Sequence, residues 1–284
     1  MITERQRNRH HLHLGSSDMA AVLGLNPWRS PVDVWLAKTQ RVPPTPANGA
    51  MLFGTYFEPG VIQAAEDGMI DGLPEMEITQ AHNERRVPLS PILDHHDGRV
   101  VETGEPVEIK TVGLRGPVSD QWGAIGTGEV PPSVYVQCHV HLMALPKSQA
   151  CWVITADGSR GFAWFRVDRN EEVCGGILHE SRRFWKENVE ADVCPEGSAS
   201  LDLLKQVKRE PGSIMEVPVH LIQDWISSRE LRLKAEREEG EAKASLLQVM
   251  GDCEAAKAGG QMVTYMPPER PVLRVKQVKQ GAVI

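Results

Sequence analysis

The chain has 284 residues, 31 Lys and Arg against 38 Asp and Glu, a formal charge of −7, and 41% hydrophobic residues. That length and apolar content suit one large domain, or one domain plus an appendage, and exclude a fibrous or wholly disordered chain. The acidic balance argues against a protein that coats nucleic acid generally, but not against an enzyme with a local basic channel.

The five cysteines, Cys138, Cys151, Cys174, Cys194 and Cys253, are odd in number and lack CxxC spacing. A zinc or iron–sulfur site and a disulfide scaffold are therefore disfavoured, and a reducing cytoplasm is the simplest setting. The start, "MITERQRNRHHLHLGSS", has no apolar signal region, and no stretch is long enough to span a bilayer. A soluble cytoplasmic protein without a membrane partner is expected.

In chain order, "GSSDMAAVLG" predicts a short helix through Leu23, capped by Ser16 or Ser17. "GLNPW" is a turn, and Ser30-Pro31 opens a second helix through about Lys38. A helix follows from about Ala50 to Glu66, with Gly54 and Pro59 inside it and Glu58 at its middle. "EMEITQAHNERRVPL" and "PILDHHDGRVVE" read as strands, Thr103-Gly104 as a hairpin turn, and "VEIKTV" as a third strand.

After a glycine-rich loop, "PPSVYVQCHVHLMAL" starts a helix with its prolines. "QACWVITAD" and "GFAWFRVD" form a hairpin, and "NEEVCGGILHESRRFWKENVE" a last helix. The order helix, three strands, helix, two strands, helix predicts an α/β (α+β) core with a central mixed sheet flanked by helices. The composition changes after Pro195. The domains are therefore read as 1–195 and 196–284, the second being a long charged helix or helical hairpin with two short strands.

The chemistry concentrates at the hairpin. Side chains alternate along a strand, so Glu108 and Lys110 share a face. Neighbouring strands bring residues within about 5 Å, which lets Asp97 meet Glu108 at the sheet edge. Two carboxylates suit a hard cation such as Mg²⁺ or Mn²⁺, and the carbonyl of Ile109 is a further oxygen donor. Lys110 lies where it can orient or deprotonate a water and offset phosphate charge, as metal-assisted phosphodiester hydrolysis requires. The bland alternative is a surface Glu108–Lys110 ion pair worth little to stability.

The ordered set "GSSDMAAVLGLNPWRSPVDVWLAKT", "GTYFEPGVIQAA", "DHHDG", "VEIKTV" and "GEVPPSVYVQCHVHLMAL" resembles the YqaJ-type, or lambda-exonuclease-like, recombinases of the PD-(D/E)XK nuclease superfamily, over about residues 9–190. That resemblance implies a restriction-endonuclease-like core and a Mg²⁺-dependent exonuclease. Such an enzyme would digest one strand of double-stranded DNA from a 5′ end and leave a 3′ overhang for a single-strand annealing protein. It also implies a ring-shaped homo-oligomer, a trimer being one such form, in a bacterial host cytoplasm.

By the same resemblance, Asp97 and Glu108 hold the metal with the Ile109 carbonyl, and Glu58 supports them. Asp97 stands in "HHDG", where the family's usual proline is His96, so Asp94 is a fallback ligand. Lys110 completes the E-x-K pair. Gln137 matches the first glutamine of the family's Q-x-Q helix and would touch the attacking water or the scissile strand, while His139 takes the second position. Ser17 matches a small polar residue at the DNA 5′-phosphate, where free helix N–H groups favour anions. Arg9 and His10 compete to be its cationic partner.

Tyr135 is read as packing on the core or reaching DNA, and His141 as a DNA contact or a structural residue. Trp28 and Trp35 are read as core or wedge residues, with the core favoured. The rival readings are an endonuclease or structure-specific nuclease of the same superfamily and an inactive DNA-binding module.

Overall fold

A computed structural model describes residues 10–44, 46–80, 84–112, 121–157, 161–207, 209, 211–266 and the backbone of 272–277. Arg9, one of the two predicted cationic partners, lies outside the described residues. The chain divides into two compact units, Met1–Arg209 and Glu210–Ile284.

The first unit begins with a 3-10 turn, His10–Leu12, then α1 (Ser16–Val22), α2 (Pro31–Lys38) and α3 (Gly49–Glu66). Gly15, not a serine, caps α1, and its N–H is taken by the Asp18 carboxylate at 2.9 Å. Ser30 caps α2 and accepts from the Asp33 N–H, so that prediction and the Pro31 start agree with the structure. Asn48 caps α3 by accepting from the Met51 N–H. Pro59 does not break that helix. It sits on the exposed side, where the carbonyl it leaves unbonded can meet water.

The strands that follow are more broken than predicted. They are β1 (Ile78–Gln80), β2 (Arg85–Arg86), β3 (Leu93–Asp94), β4 (Gly98–Val100) and β5 (Pro106–Val112). "PILDHHDGRVVE" is thus two strands. β3 pairs with β2 in a separate ribbon, while β4 joins the main sheet. The break at residues 95–97 is where the candidate site lies. Gly104, at φ +70°, closes the β4–β5 turn, a conformation that suits glycine.

Helix α4 (Pro132–Ala144), strands β6 (Ala150–Asp157) and β7 (Gly161–Asp168), and helix α5 (Glu171–Phe184) with a π-helical continuation to Glu190 complete the layers. The main sheet has the order β1-β4-β5-β6-β7, with β5 and β6 parallel and the other pairs antiparallel. This is the mixed sheet flanked by helices that the pattern predicted.

Alternation along β5 sets what each face meets. Val107 and Ile109 pack with Val61, Ile62 and Ala65 of α3 and with Ile154. Full burial of side chains such as these is worth about 1.5–3 kcal/mol each. Cys138 and Leu142 of α4 cover the other face with Cys151, Val153 and Phe165. A third cluster, including Met19, Trp35, Val140 and Phe184, joins α1, α2, α4 and α5. Trp35 is in the core as predicted, but Trp28 is 60% exposed, because it follows the Asn26 turn before α2 begins. Ala199, Leu203 and Val207 also pack on this cluster, so the first unit runs past the composition change at Pro195.

Gly98 shows how tightly the hairpin is packed beside the site. A Cβ there would come within 2.7 Å of Ile78 Cγ2, a methyl on a stiff β-branched side chain. Gly98→Ala should cost about 1–3 kcal/mol as an overpacking change, read by denaturant unfolding. A loss below ~0.5 kcal/mol would show that β1 yields freely.

The first unit ends after a four-residue helical segment, Leu201–Leu204, and the second unit holds one 32-residue helix, α6 (Val219–Met250), followed by β8 (Ala255–Ala258), β9 (Gln261–Met266) and β10 (Val272–Gln277). One helix, rather than a hairpin, is what forms. The strands make a β10-β9-β8 sheet. β8, "AAKA", was not predicted, since alanine carries no strand signal.

Candidate active site

The site is built where β3 ends, β4 begins and β5 passes. The Asp97 N–H donates to the Val107 carbonyl at 3.2 Å, and the Ile109 N–H donates to Asp97 Oδ2 at 2.7 Å. Asp97 is therefore pinned against the backbone between Glu108 and Ile109. A strand residue turns its N–H and C=O to the same side. The Ile109 carbonyl thus also faces the Asp97 side, past the last β4 pairing at Gly98–Val107.

Glu108 points to the α4 face and is buried. Its Oε1 accepts from Lys110 Nζ, and its Oε2 lies 2.8 Å from His141 Nε2. His141 Nδ1 is 2.6 Å from Asp94 Oδ1, and Asp94 Oδ2 is 3.0 Å from His96 Nδ1. One chain of contacts therefore runs His96–Asp94–His141–Glu108–Lys110, from the ribbon through α4 to the main sheet.

The electrostatics follow from crowding. Burial raises the Asp97 carboxyl, Glu108 and Glu58 raise it further, and Lys110 opposes them. The result is a group pushed up to about 8. Burial alone would raise Glu108 too, but Lys110 and His141 pull it down to about 2. For Lys110, burial acts downward, yet Glu108 and Asp97 outweigh it and the ammonium is held charged. Burial also opposes charge on His141, but Asp94 and Glu108 raise it well above the ordinary imidazole value. Both ring nitrogens face carboxylates, which fits a ring donating at both ends.

These features fit a divalent cation at Asp97 and Glu108. Burial first, then the charge of Glu108 and more weakly that of Glu58, makes a second bare carboxylate at Asp97 costly. A hard cation relieves that cost, with the Ile109 carbonyl as a neutral oxygen donor. Asp94, His96 and His141 also offer ligand atoms within 4.8 Å of one another.

The other predicted residues divide. Gln137 is half-buried one turn before His141 on the same face of α4. His141 is corrected: at 0% exposure between two carboxylates it has no surface to offer DNA. His139 is structural. Its Nδ1 meets the Tyr135 carbonyl at 2.8 Å, and its Nε2 accepts from the Asn170 N–H at 3.2 Å, tying α4 to α5. Tyr135 packs on the cluster under the sheet and lies 4.4 Å, centroid to centroid, from the His139 ring.

Ser17 is exposed on the first turn of α1. Beside it is a group that sequence reasoning missed. Asp18, fully buried, meets Lys38 Nζ at 2.6 Å, Arg29 Nη1 at 2.7 Å and His10 Nε2 at 3.5 Å. Only the partners' distance along the chain hid it.

The fold that holds these residues has known relatives. Residues 5–145 match the YqaJ-like viral recombinase domain. The uncharacterized protein YqaJ of Bacillus subtilis (strain 168) is 24% identical over 276 residues, covering 94% of this chain and 84% of that protein. Among solved structures, the alkaline exonuclease LHK-Exo from Laribacter hongkongensis superposes with a TM-score of 0.50 at 17% identity, covering 67% of this chain and 94% of that one. The same exonuclease in complex with dAMP gives 0.52 at 18% identity, with the same coverage. The fold is thus shared with the alkaline exonuclease LHK-Exo, and residues 5–145 carry the similarity to the YqaJ-like viral recombinase domain.

Proposed function

We propose that the protein is a divalent-metal-dependent DNA exonuclease that degrades one strand of a duplex from its 5′ end. The observation that carries this is Asp97 held on the Ile109 N–H beside Glu108, whose Oε1 accepts from Lys110, on the central strand β5 of an exonuclease-like sheet.

Asp97, Glu108 and the Ile109 carbonyl would hold Mg²⁺, with Glu58 beside them and Mn²⁺ able to substitute. When bound, such an ion neutralises charge on the phosphate and makes water a stronger nucleophile. Lys110 and Gln137 orient the water, and the Lys110 ammonium faces the charge that develops on the phosphoryl oxygens. Ser17, with His10 nearby, is the contact for the terminal phosphate. Met51, Phe53, Tyr56 and Phe57 are exposed on the same helix as Glu58, and Phe53 and Phe57 stack at 4.6 Å. Such side chains suit unpaired bases, whose faces stack on aromatic rings.

The product would be a 3′ overhang, the substrate of a single-strand annealing protein in recombination. A closed oligomer of this chain would keep the enzyme on its strand.

The test is digestion of a linear duplex labelled at either end, with Mg²⁺ or EDTA, beside a covalently closed circle. Mg²⁺-dependent loss from 5′ ends, an intact circle and an inactive Asp97→Asn protein are expected. Cutting of the circle would replace this reading with an endonuclease. Binding without cutting would replace it with an inactive module.

A further inference from the structure

His141 is fully buried and holds one oxygen of Glu108, while Asp94 holds the far side of its ring. The two contacts come from different elements, β3 and α4, and neither residue belongs to the E-x-K strand. A carboxylate of β5 left to itself has two equivalent oxygens and a freely turning terminal torsion. Here Oε2 is fixed by His141, which fixes the carboxylate plane and leaves Oε1 to meet Lys110.

We propose that Asp94 and His141 are positioning residues that set the orientation of Glu108 and thereby the affinity of the cation site. This rests on the nuclease reading above. Outer carboxylate–histidine partners fix the geometry of the groups that hold a metal, and their loss typically weakens binding 10–100-fold.

The alternative use of the same side chains is direct ligation by Asp94, His96 and His141. The distances oppose it. Two neighbouring ligands about 2.1 Å from one octahedral ion stand roughly 3.0 Å apart. Asp94 Oδ1 and His141 Nδ1 are 2.6 Å apart, the separation of a strong hydrogen bond. The second nitrogen of His141 is already directed at Glu108. His96 Nε2 is buried without a hydrogen-bond partner among the described residues, so the experiment must also exclude nitrogen ligation.

The experiment is Mn²⁺ titration of the full chain, read by calorimetry and by electron paramagnetic resonance, without DNA. His141→Ala should weaken Mn²⁺ binding 10–100-fold. Asp94→Asn should also weaken it, although Asp94 does not touch Glu108. The double variant should be little worse than His141→Ala, because both act through one contact. His141→Gln, whose amide N–H can replace Nε2–H toward Glu108, should recover part of the loss. It also serves where the alanine variant does not fold.

Electron spin-echo modulation of the wild-type Mn²⁺ complex should show no directly bonded nitrogen. Equal affinity in wild type, His141→Gln and Asp94→Asn overturns the proposal, as does a directly bonded histidine nitrogen. If Asp97→Asn loses the cation and the His141 variants do not, only the positioning role fails. If the wild type itself binds no Mn²⁺, the nuclease reading falls with it.

Discussion

Replacing Lys110 by alanine should slow strand digestion by about 10²–10⁴-fold, the range for removing a positioned group that handles protons. DNA binding and the unfolding midpoint should change little. Lys110 is suited to this loss by where its charge sits. Its ammonium bonds Glu108 Oε1, and it is held protonated because Glu108 and Asp97 outweigh the burial that opposes it. As an ammonium it offers a proton and a full charge beside the spot where the phosphate would sit.

Arginine at this position should not rescue. Its planar fork is wider than a point charge and cannot occupy the same place against Glu108. The rate is best read as a single turnover on bound, end-labelled duplex, so that binding does not mask chemistry. A Lys110→Ala protein within tenfold of wild type would leave the Glu108–Lys110 contact as the ion pair that a solvated strand face would also give.

The hairpin of the candidate site was legible because its geometry is local. Asp97, the Thr103-Gly104 turn and the alternation of Glu108 and Lys110 lie within fourteen residues, and a tight hairpin leaves few registers. The helix faces were half legible. Four-residue spacing placed Gln137 and His141 together, but spacing does not say which neighbour a face meets. His141 was therefore assigned to DNA when it meets Asp94, 47 positions earlier.

Residue type misled elsewhere. Tryptophan is usually buried, yet Trp28 lies on an Asn-initiated turn that points it outward. The serines looked like caps, but Ser16 and Ser17 are already the first helical residues of α1, and Gly15 takes the cap position with its N–H held by the Asp18 carboxylate. Asp18 itself gave no signal. A buried charge depends on partners at positions 10, 29 and 38, which only the folded chain assembles.

That buried group should carry the largest stability effect in the molecule. Lys38→Met is expected to cost about 3–5 kcal/mol, because it leaves Asp18 charged and buried with one cation fewer. Lys38 is itself 3% exposed, and its three protons have three acceptors: Asp18 Oδ2 at 2.6 Å, the His10 carbonyl at 2.8 Å and His10 Nδ1 at 3.1 Å. The last contact makes Nδ1 an acceptor, so His10 is neutral here and turns Nε2–H toward Asp18.

The pH dependence has a definite sign. Burial acts to raise the Asp18 carboxyl, but Lys38 and Arg29 hold it far below the usual carboxylate range. Burial lowers His10 below its ordinary value despite Asp18. Both groups bind protons more readily unfolded than folded. The stability they contribute is therefore present at neutral pH and is lost as pH falls, first below about 6.5 for His10 and then below about 3.9 for Asp18.

The double variant Asp18→Asn/Lys38→Met removes both charges and should recover most of the loss, since a neutral replacement of a buried pair is often tolerated. It should also flatten the acid limb of the stability profile. Urea unfolding of the three proteins between pH 4 and 8 measures both effects. A Lys38→Met protein within 1 kcal/mol of wild type would mean that Arg29, at 2.7 Å, alone satisfies Asp18 and that the lysine is dispensable.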